Sequence, residues 1–139
     1  MIKVMLDTNT LIYATNNVPP AVFEKLASFK KGEVVVSSIA WAEYCVGVHK
    51  FGVDNSNIEE LVDILPFDAA AADVYGELAA ARLGGRANGF DRLIAAHAIS
   101  LGVPLVTNNV ADFQPYLEKG LVVENWAQPP EAEGSSGKD

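Results

Sequence analysis

The stretch Val4-Met5-Leu6-Asp7-Thr8-Asn9-Thr10-Leu11 restricts the possible folds more than any other part of the chain. A short apolar run without alternation suits a β-strand covered on both faces. This one stops abruptly at a carboxylate followed by hydroxyls and an amide. Strands covered on both faces belong to parallel sheets with helical crossovers, and in open sheets of that kind ligands sit at the carboxyl ends of the strands. Asp7 is therefore the first candidate for chemistry.

Downstream, strand and helix patterns alternate. Thr8 can cap a short helix that ends in Asn16 to Pro20, and Ala21, Val22, Leu26 and Phe29 then recur at helical spacing until Gly32. Val34-Val35-Val36 reads as a second strand. Ser37 and Ser38 are ready caps for a helix from Ile39 to about Phe51, closed by Gly52. Asp54-Asn55-Ser56 caps a further helix with Ile58, Leu61, Val62 and Leu65 inward and Glu59, Glu60 and Asp63 toward solvent. Leu65-Pro66-Phe67 reads as an edge strand because of its proline. Asp68 then caps an alanine-rich helix running to about Leu83 before Gly84-Gly85. Asn88 to Ile99 forms a helix with Asp91 in its first turn, Val103 to Thr107 a strand ending in Asn108-Asn109, and Leu121 to Glu124 a last short strand.

This pattern predicts an α/β fold with a mainly parallel central sheet of four to five strands and helices on both faces. The 139 residues suffice for one domain with a substantial core. That domain is expected over residues 1–127. Residues 128–139 are expected to form a flexible acidic tail, since Pro129-Pro130 and Gly134-Ser135-Ser136-Gly137 neither hold a helix nor add to a core.

The formal net charge is −8, of which the tail carries −2, so the domain itself is acidic, which counts against nonspecific nucleic-acid binding through a large basic surface without excluding nucleic acid. No apolar run approaches the roughly 18 residues of a membrane span, and the first residues lack a signal-peptide pattern. A cytoplasmic protein with no membrane partner is expected. The single cysteine, Cys45, cannot form an internal disulfide and reads as a packed small hydrophobe. His97 lies among Leu93, Ile94 and Leu101 on its helix and reads as a core histidine. Neither GxGxxG nor GxxxxGK[ST] occurs, which removes the two commonest nucleotide-binding loops.

Four acids remain at places that could converge: Asp7 at a strand end, Glu43 on a largely apolar helix face beside Ile39, Ala42 and Val46, Asp91 at a helix start, and Asp112 just after another strand. If they meet in a partly dry cleft, their repulsion must be relieved by protons or by a cation. Oxygen-only ligands select Mg2+ or Mn2+ ahead of zinc. Divalent ions held by carboxylates suit in-line displacement at phosphorus, and hence phosphodiester hydrolysis. Lys50, Arg82, Arg86 and Arg92 could supplement such a site with phosphate contacts.

Four ordered blocks carry a family resemblance. Leu6-Asp7-Thr8-Asn9-Thr10, Ser37-Ser38-Ile39 with Glu43 behind it, Asp91-Arg92-Leu93-Ile94-Ala95-Ala96-His97-Ala98, and Leu105-Val106-Thr107-Asn108-Asn109 with Asp112-Phe113 together resemble the PIN-domain ribonucleases. The nearest match is the toxin subunit of VapBC-type toxin–antitoxin pairs. The resemblance covers nearly all of Ile2 to Trp126. It implies a metal site of Asp7, Glu43 and Asp91, with Asp112 as a less uniform fourth acid. It also implies that Thr8, Asn9, Thr107, Asn108 and Asn109 are supporting groups that position metal, water or carboxylates. An RNA substrate, often structured such as tRNA, a cognate antitoxin protein and a homodimer are further implications. Two other readings stand beside this one. One is a noncatalytic PIN-like module that binds RNA or protein. The other is a different metal-dependent phosphohydrolase; the haloacid dehalogenase motif DxDxT also places an aspartate after a strand, but here its second aspartate position is Asn9.

Overall fold

The computed structural model describes residues 1–85 and 89–127. Arg86, Asn88 and the tail expected over residues 128–139 lie outside that range. Among the described residues five strands, β1 (Val4–Leu6), β2 (Val34–Ser37), β3 (Asp63–Leu65), β4 (Leu105–Val106) and β5 (Val123–Glu124), form one sheet in the order β3-β2-β1-β4-β5. All four pairings are parallel, with Met5 opposite Val35 on one side and Leu105 on the other. Every residue of β1 and β2 is buried, so both sheet faces are covered there. That is the physical reason for their unbroken apolar sequence.

Among the described residues seven helices connect and flank the strands: α1 (Thr8–Asn16), α2 (Pro20–Ala27), α3 (Ser38–Phe51), α4 (Ser56–Glu59), α5 (Ala69–Ala80), α6 (Gly89–Leu101) and α7 (Val110–Phe113), the last followed by a 3-10 turn over Gln114–Lys119. The chain steps outward from β1 to β2 and β3, then returns to lay β4 and β5 on the other side of β1. The strand order therefore reverses between β1 and β4. The crevice at the carboxyl ends of those two strands is where such a sheet opens to ligands. Asp7 and Thr107 are the residues immediately past those two ends.

Several local boundaries differ from the sequence expectation. Asp7, not Thr8, is the N-cap of α1: its Oδ1 accepts from the backbone N–H of Thr10 at 2.9 Å. A carboxylate in extended backbone caps as well as a hydroxyl does, and it frees Thr8 for another partner. Helix α2 stops at Ala27, short of Phe29, and α5 stops at Ala80. The helix expected to reach Leu65 is the single turn α4, and the edge strand is Asp63–Leu65, ahead of the proline. Pairing with β2, which sets Ile64 opposite Val36, outweighs the helical spacing of Leu61 and Leu65. Asp63 therefore lies on a strand, paired with Lys31 at 2.9 Å, instead of on a solvated helix face.

Candidate active site

Strand β1 and helix α1 place Asp7 at the floor of the crevice, 4% exposed. Its carboxylate is held by the Thr10 amide and by a side-chain hydrogen bond from Thr107. Burial nevertheless outweighs these donors and holds its pKa above the usual 3.8, with the charge of Glu43 adding to the effect. Thr10 Oγ1 also donates to Val106 O at 3.0 Å, which ties the start of α1 to β4.

Glu43 arrives from α3. Ser37 ends β2 and caps that helix through Ile39 N. The covered face of α3 carries Ala40 and Tyr44. The stripe that adjoins Glu43 is apolar but open: Val46 is 64% exposed. Glu43 sits half-buried at the boundary, where its Oε1 accepts from Thr8 Oγ1 at 2.6 Å. Asp91 lies in the first turn of α6 and is driven up to about 6, first by loss of solvent and then by the charges of Asp112, Glu43 and Asp7. Asp91 thus feels the charge of each of the other three acids, and Asp7 that of Glu43.

Asp7, Glu43 and Asp91 line one cleft of 110 Å³ together with Thr8, Asn9 and Asn109. Asp112, in the first turn of α7, is not in that cleft. It shares with Asp91 the wall of a larger cavity of 540 Å³ next door. Among the described residues no three acids, histidines or cysteines are gathered tightly enough to hold an ion directly. The acids therefore form an open cluster with hard oxygen donors under mutual repulsion, and that donor chemistry fits Mg2+ or Mn2+.

The other expected site residues divide. Thr8 and Thr107 each bond to an acid, and Thr107 Oγ1 also accepts from Asn109 N at 2.9 Å. Asn108 turns elsewhere: its Nδ2 donates to the Tyr13 hydroxyl at 3.1 Å, and its Oδ1 accepts from Asn125 Nδ2 at 3.0 Å. Of the cations, Arg92 is occupied in structure. Its Nε donates to Leu83 O at 3.0 Å, a second guanidinium nitrogen donates to Gly85 O, and the group lies over the Tyr75 ring. Arg82 is exposed and lines a third cavity of 360 Å³ with Arg92. Lys50 lies near the end of α3 with its ammonium 5.6 Å from the Phe51 ring centroid, outside the acid-lined cleft. His97 is buried at 1% exposure, with Nδ1 2.8 Å from Ser37 Oγ and Phe67 edge-on to its ring. Burial holds its pKa below the usual 6.5, as for a core histidine.

Thr10, Tyr13 and Asn125 were missed in the sequence reading. Asn125 could have been found by the rule that singled out Asp7, because it is the first residue past β5. Tyr13 carries no comparable local signal.

A doubly wound parallel sheet with acids from β1, α3 and α6 meeting at its switch point defines the class. The PIN domain model matches residues 4–114, and the chain belongs to the PIN-domain family. Within it, the full-length relatives are VapC ribonucleases. The chain is 36% identical to the tRNA(fMet)-specific endonuclease VapC of Shigella flexneri, over 91% of this chain and 100% of that protein. It is 35% identical to Ribonuclease VapC2 of Rickettsia felis over 88% and 96% of the two chains. Its fold superimposes on the DNA-bound VapBC structure from Salmonella typhimurium with a TM-score of 0.78 at 32% identity, covering 91% of this chain and 99% of that one. Among the described residues no helix is long and apolar enough to cross a membrane.

Proposed function

We propose that this chain is a metal-dependent endoribonuclease that hydrolyses RNA phosphodiester bonds and serves as the toxin of a toxin–antitoxin pair. The observation that carries the reading is the cleft that Asp7, Glu43 and Asp91 line together, where burial first and then the charges of Asp112, Glu43 and Asp7 raise Asp91 to about 6. A divalent cation there supplies charge neutralisation and a water of lowered pKa. Asp7, Glu43 and Asp91 would hold it, with Asp112 as a fourth acid at the edge. Thr8 orients the Glu43 carboxylate by its 2.6 Å hydrogen bond, and Thr107 and the Thr10 amide orient that of Asp7.

The nuclease unit is a single domain over residues 1–127, followed by the acidic tail. The names of the full-length relatives support RNA, with tRNA as the favoured class. The VapBC complexes among the solved relatives support a cognate antitoxin. The homodimer and the cytoplasmic address belong to the same reading. Incubating the purified protein with tRNA in Mg2+ or in EDTA tests it. Cleavage in Mg2+ that EDTA abolishes, and that Asp7→Asn and Asp91→Asn each lose, is the expected result. Equal cleavage with and without chelator would sink the metal assignment, and tight RNA binding without any cleavage would favour the noncatalytic module.

A further inference from the structure

Ser37, Ser38, Phe67 and His97 form a small cluster outside the acid-lined cleft. Ser37 ends β2 and caps α3, its Oγ accepting from Ile39 N at 3.2 Å. The same Oγ lies 2.8 Å from His97 Nδ1 on α6, and both side chains are fully buried. Ser38 Oγ accepts from Phe67 N at 3.1 Å, just past β3, and the Phe67 ring stands edge-on to His97. The end of β2, the start of α3, the chain after β3 and the middle of α6 are therefore joined at one point. A neutral imidazole bonds to a hydroxyl in either tautomer, and burial holds His97 neutral.

The packing around this bond is not directional. Ile94, Ala95, Ala96, His97 and Ala98 are all buried, so α6 is enclosed there, yet most of that surface is alanine methyl. Methyl groups fill space and set how close two elements come. Rotation and register are left to groups that interlock or bond. His97 is the one polar side chain among these residues. Asp91 lies less than two turns along α6 from His97, and Glu43 less than two turns along α3 from its Ser37 cap. The charges of Glu43 and Asp91 oppose one another, so the frame has to resist their separation. We propose that His97 is a positioning residue: its bond to Ser37 fixes α6 against the start of α3 and so sets the spacing of Asp91 from Glu43. The importance of that spacing for chemistry rests on the metal-dependent nuclease reading given above.

Two substitutions at position 97 separate the bond from the bulk. His97→Leu keeps apolar volume without a bonding atom, and His97→Asn keeps a polar atom close to where Nδ1 stands while giving up most of the ring. Both are compared with Ser37→Ala and the wild type by thermal melting, by Mn2+ titration calorimetry and by RNA cleavage below the lowest melting temperature. His97→Leu and Ser37→Ala are expected to bind Mn2+ about tenfold more weakly and to lose about tenfold in kcat at near-constant KM, as for partners that orient metal ligands. His97→Asn is expected to retain most of both although it melts lower, because the lost ring leaves a void. Combining Ser37→Ala with His97→Leu should cost no more than either alone, since the two side chains act through one bond. Amide spectra of the metal-free protein give the same test without the ion. Ser37→Ala should shift the resonances of Asp91 and Arg92 on α6, and His97→Leu those of Glu43 and Tyr44 on α3. If His97→Leu does not fold, Ser37→Ala and its amide spectrum carry the comparison. Wild-type Mn2+ affinity and kcat in the folded variants, or equal losses in His97→Asn and His97→Leu, would overturn the proposal. So would amide shifts confined to the neighbours of each substituted residue. A wild type that neither binds Mn2+ nor cleaves RNA overturns the nuclease reading instead, and the amide spectra then decide the role of His97.

Discussion

Asp7 and Glu43 form one side of the acidic crevice, and hydroxyl or amide donors hold their oxygens: Thr10 N and Thr107 for Asp7, Thr8 Oγ1 for Glu43. Asp91 and Asp112 form the other side, each in the first turn of a helix, where Asp112 is the largest charge acting on Asp91. The first pair is organised by neutral groups that persist whatever occupies the site. On the second side Asp91 is disfavoured as a charge first by burial and then by its acidic neighbours, and a bound cation or proton changes its energy directly. The contrast separates two requirements of a carboxylate centre, shape and charge, and assigns each to a different part of the chain.

Removing one acid from each side gives the largest expected effects. Asp7→Asn and Asp91→Asn should each lower RNA cleavage by more than about 100-fold, beyond what loss of a supporting group costs. Neither should cost stability in the metal-free protein, because both carboxylates have raised pKa values. The asparagine at position 7 keeps a side-chain oxygen for the Thr10 amide, so the cap survives, whereas Asp7→Ala adds about 1 kcal/mol of destabilisation. Asp91→Asn should raise the melting temperature of the metal-free protein at neutral pH, since it removes a charge that the fold disfavours. A metal-free Asp91→Asn protein that melts below the wild type would erase the contrast.

The same asymmetry predicts a pH dependence. Asp91 is raised from 3.8 to about 6, so the folded chain binds its proton more tightly than the unfolded chain does. Protonation therefore favours folding, and the metal-free protein should gain stability as pH falls through about 6 toward about 4. Asp7, also raised, acts in the same direction. Glu33 and Asp54 are lowered by their hydrogen bonds, so their stabilising contributions are lost only below the ordinary carboxylate range. Thermal melts from pH 7 to pH 4 in EDTA check this, and adding Mg2+ should flatten the curve.

Much of this was legible in the sequence, for identifiable reasons. β1 and β2 announced themselves because burial on both faces demands an unbroken apolar run, and Asp7 because a carboxylate ends such a run. β3 did not, because three residues at a sheet edge have no pattern of their own and are fixed by pairing with β2. The wheel that set Glu43 beside Val46 identified an apolar stripe. It could not say that the covered stripe is the one with Ala40 and Tyr44. The partners of Asn108 were out of reach for the same reason: Tyr13 and Asn125 come to it across 95 and 17 residues of chain.

Thr8→Val tests the organised side by itself. It removes the hydroxyl that donates to Glu43 and keeps the shape, so the charge of the cluster is unchanged while one carboxylate loses its orientation. A loss of about 10–100-fold in activity or metal affinity is expected, as for other outer partners of a metal ligand. The metal-free pH dependence should stay, because Asp91 and Asp112 are untouched. If Thr8→Val abolished that dependence, shape and charge would not be separable in this crevice.

The smallest effect on chemistry belongs to Asn108. Although it follows Thr107 at the end of β4, both of its hydrogen bonds point toward Tyr13 and Asn125 and neither reaches an acid. Asn108→Ala removes a donor and an acceptor from half-buried partners, and water can replace part of what is lost. A cost of about 1 kcal/mol is expected, at the middle of the range for a single hydrogen bond. RNA cleavage below the melting temperature should change by less than about threefold, since the bonds that orient Asp7 and Glu43 are all retained. Measured together, the melting temperature and kcat/KM separate the two roles. A stability loss with near-normal cleavage places Asn108 in the scaffold, and a tenfold activity loss at unchanged stability would move it back among the groups that serve the acids.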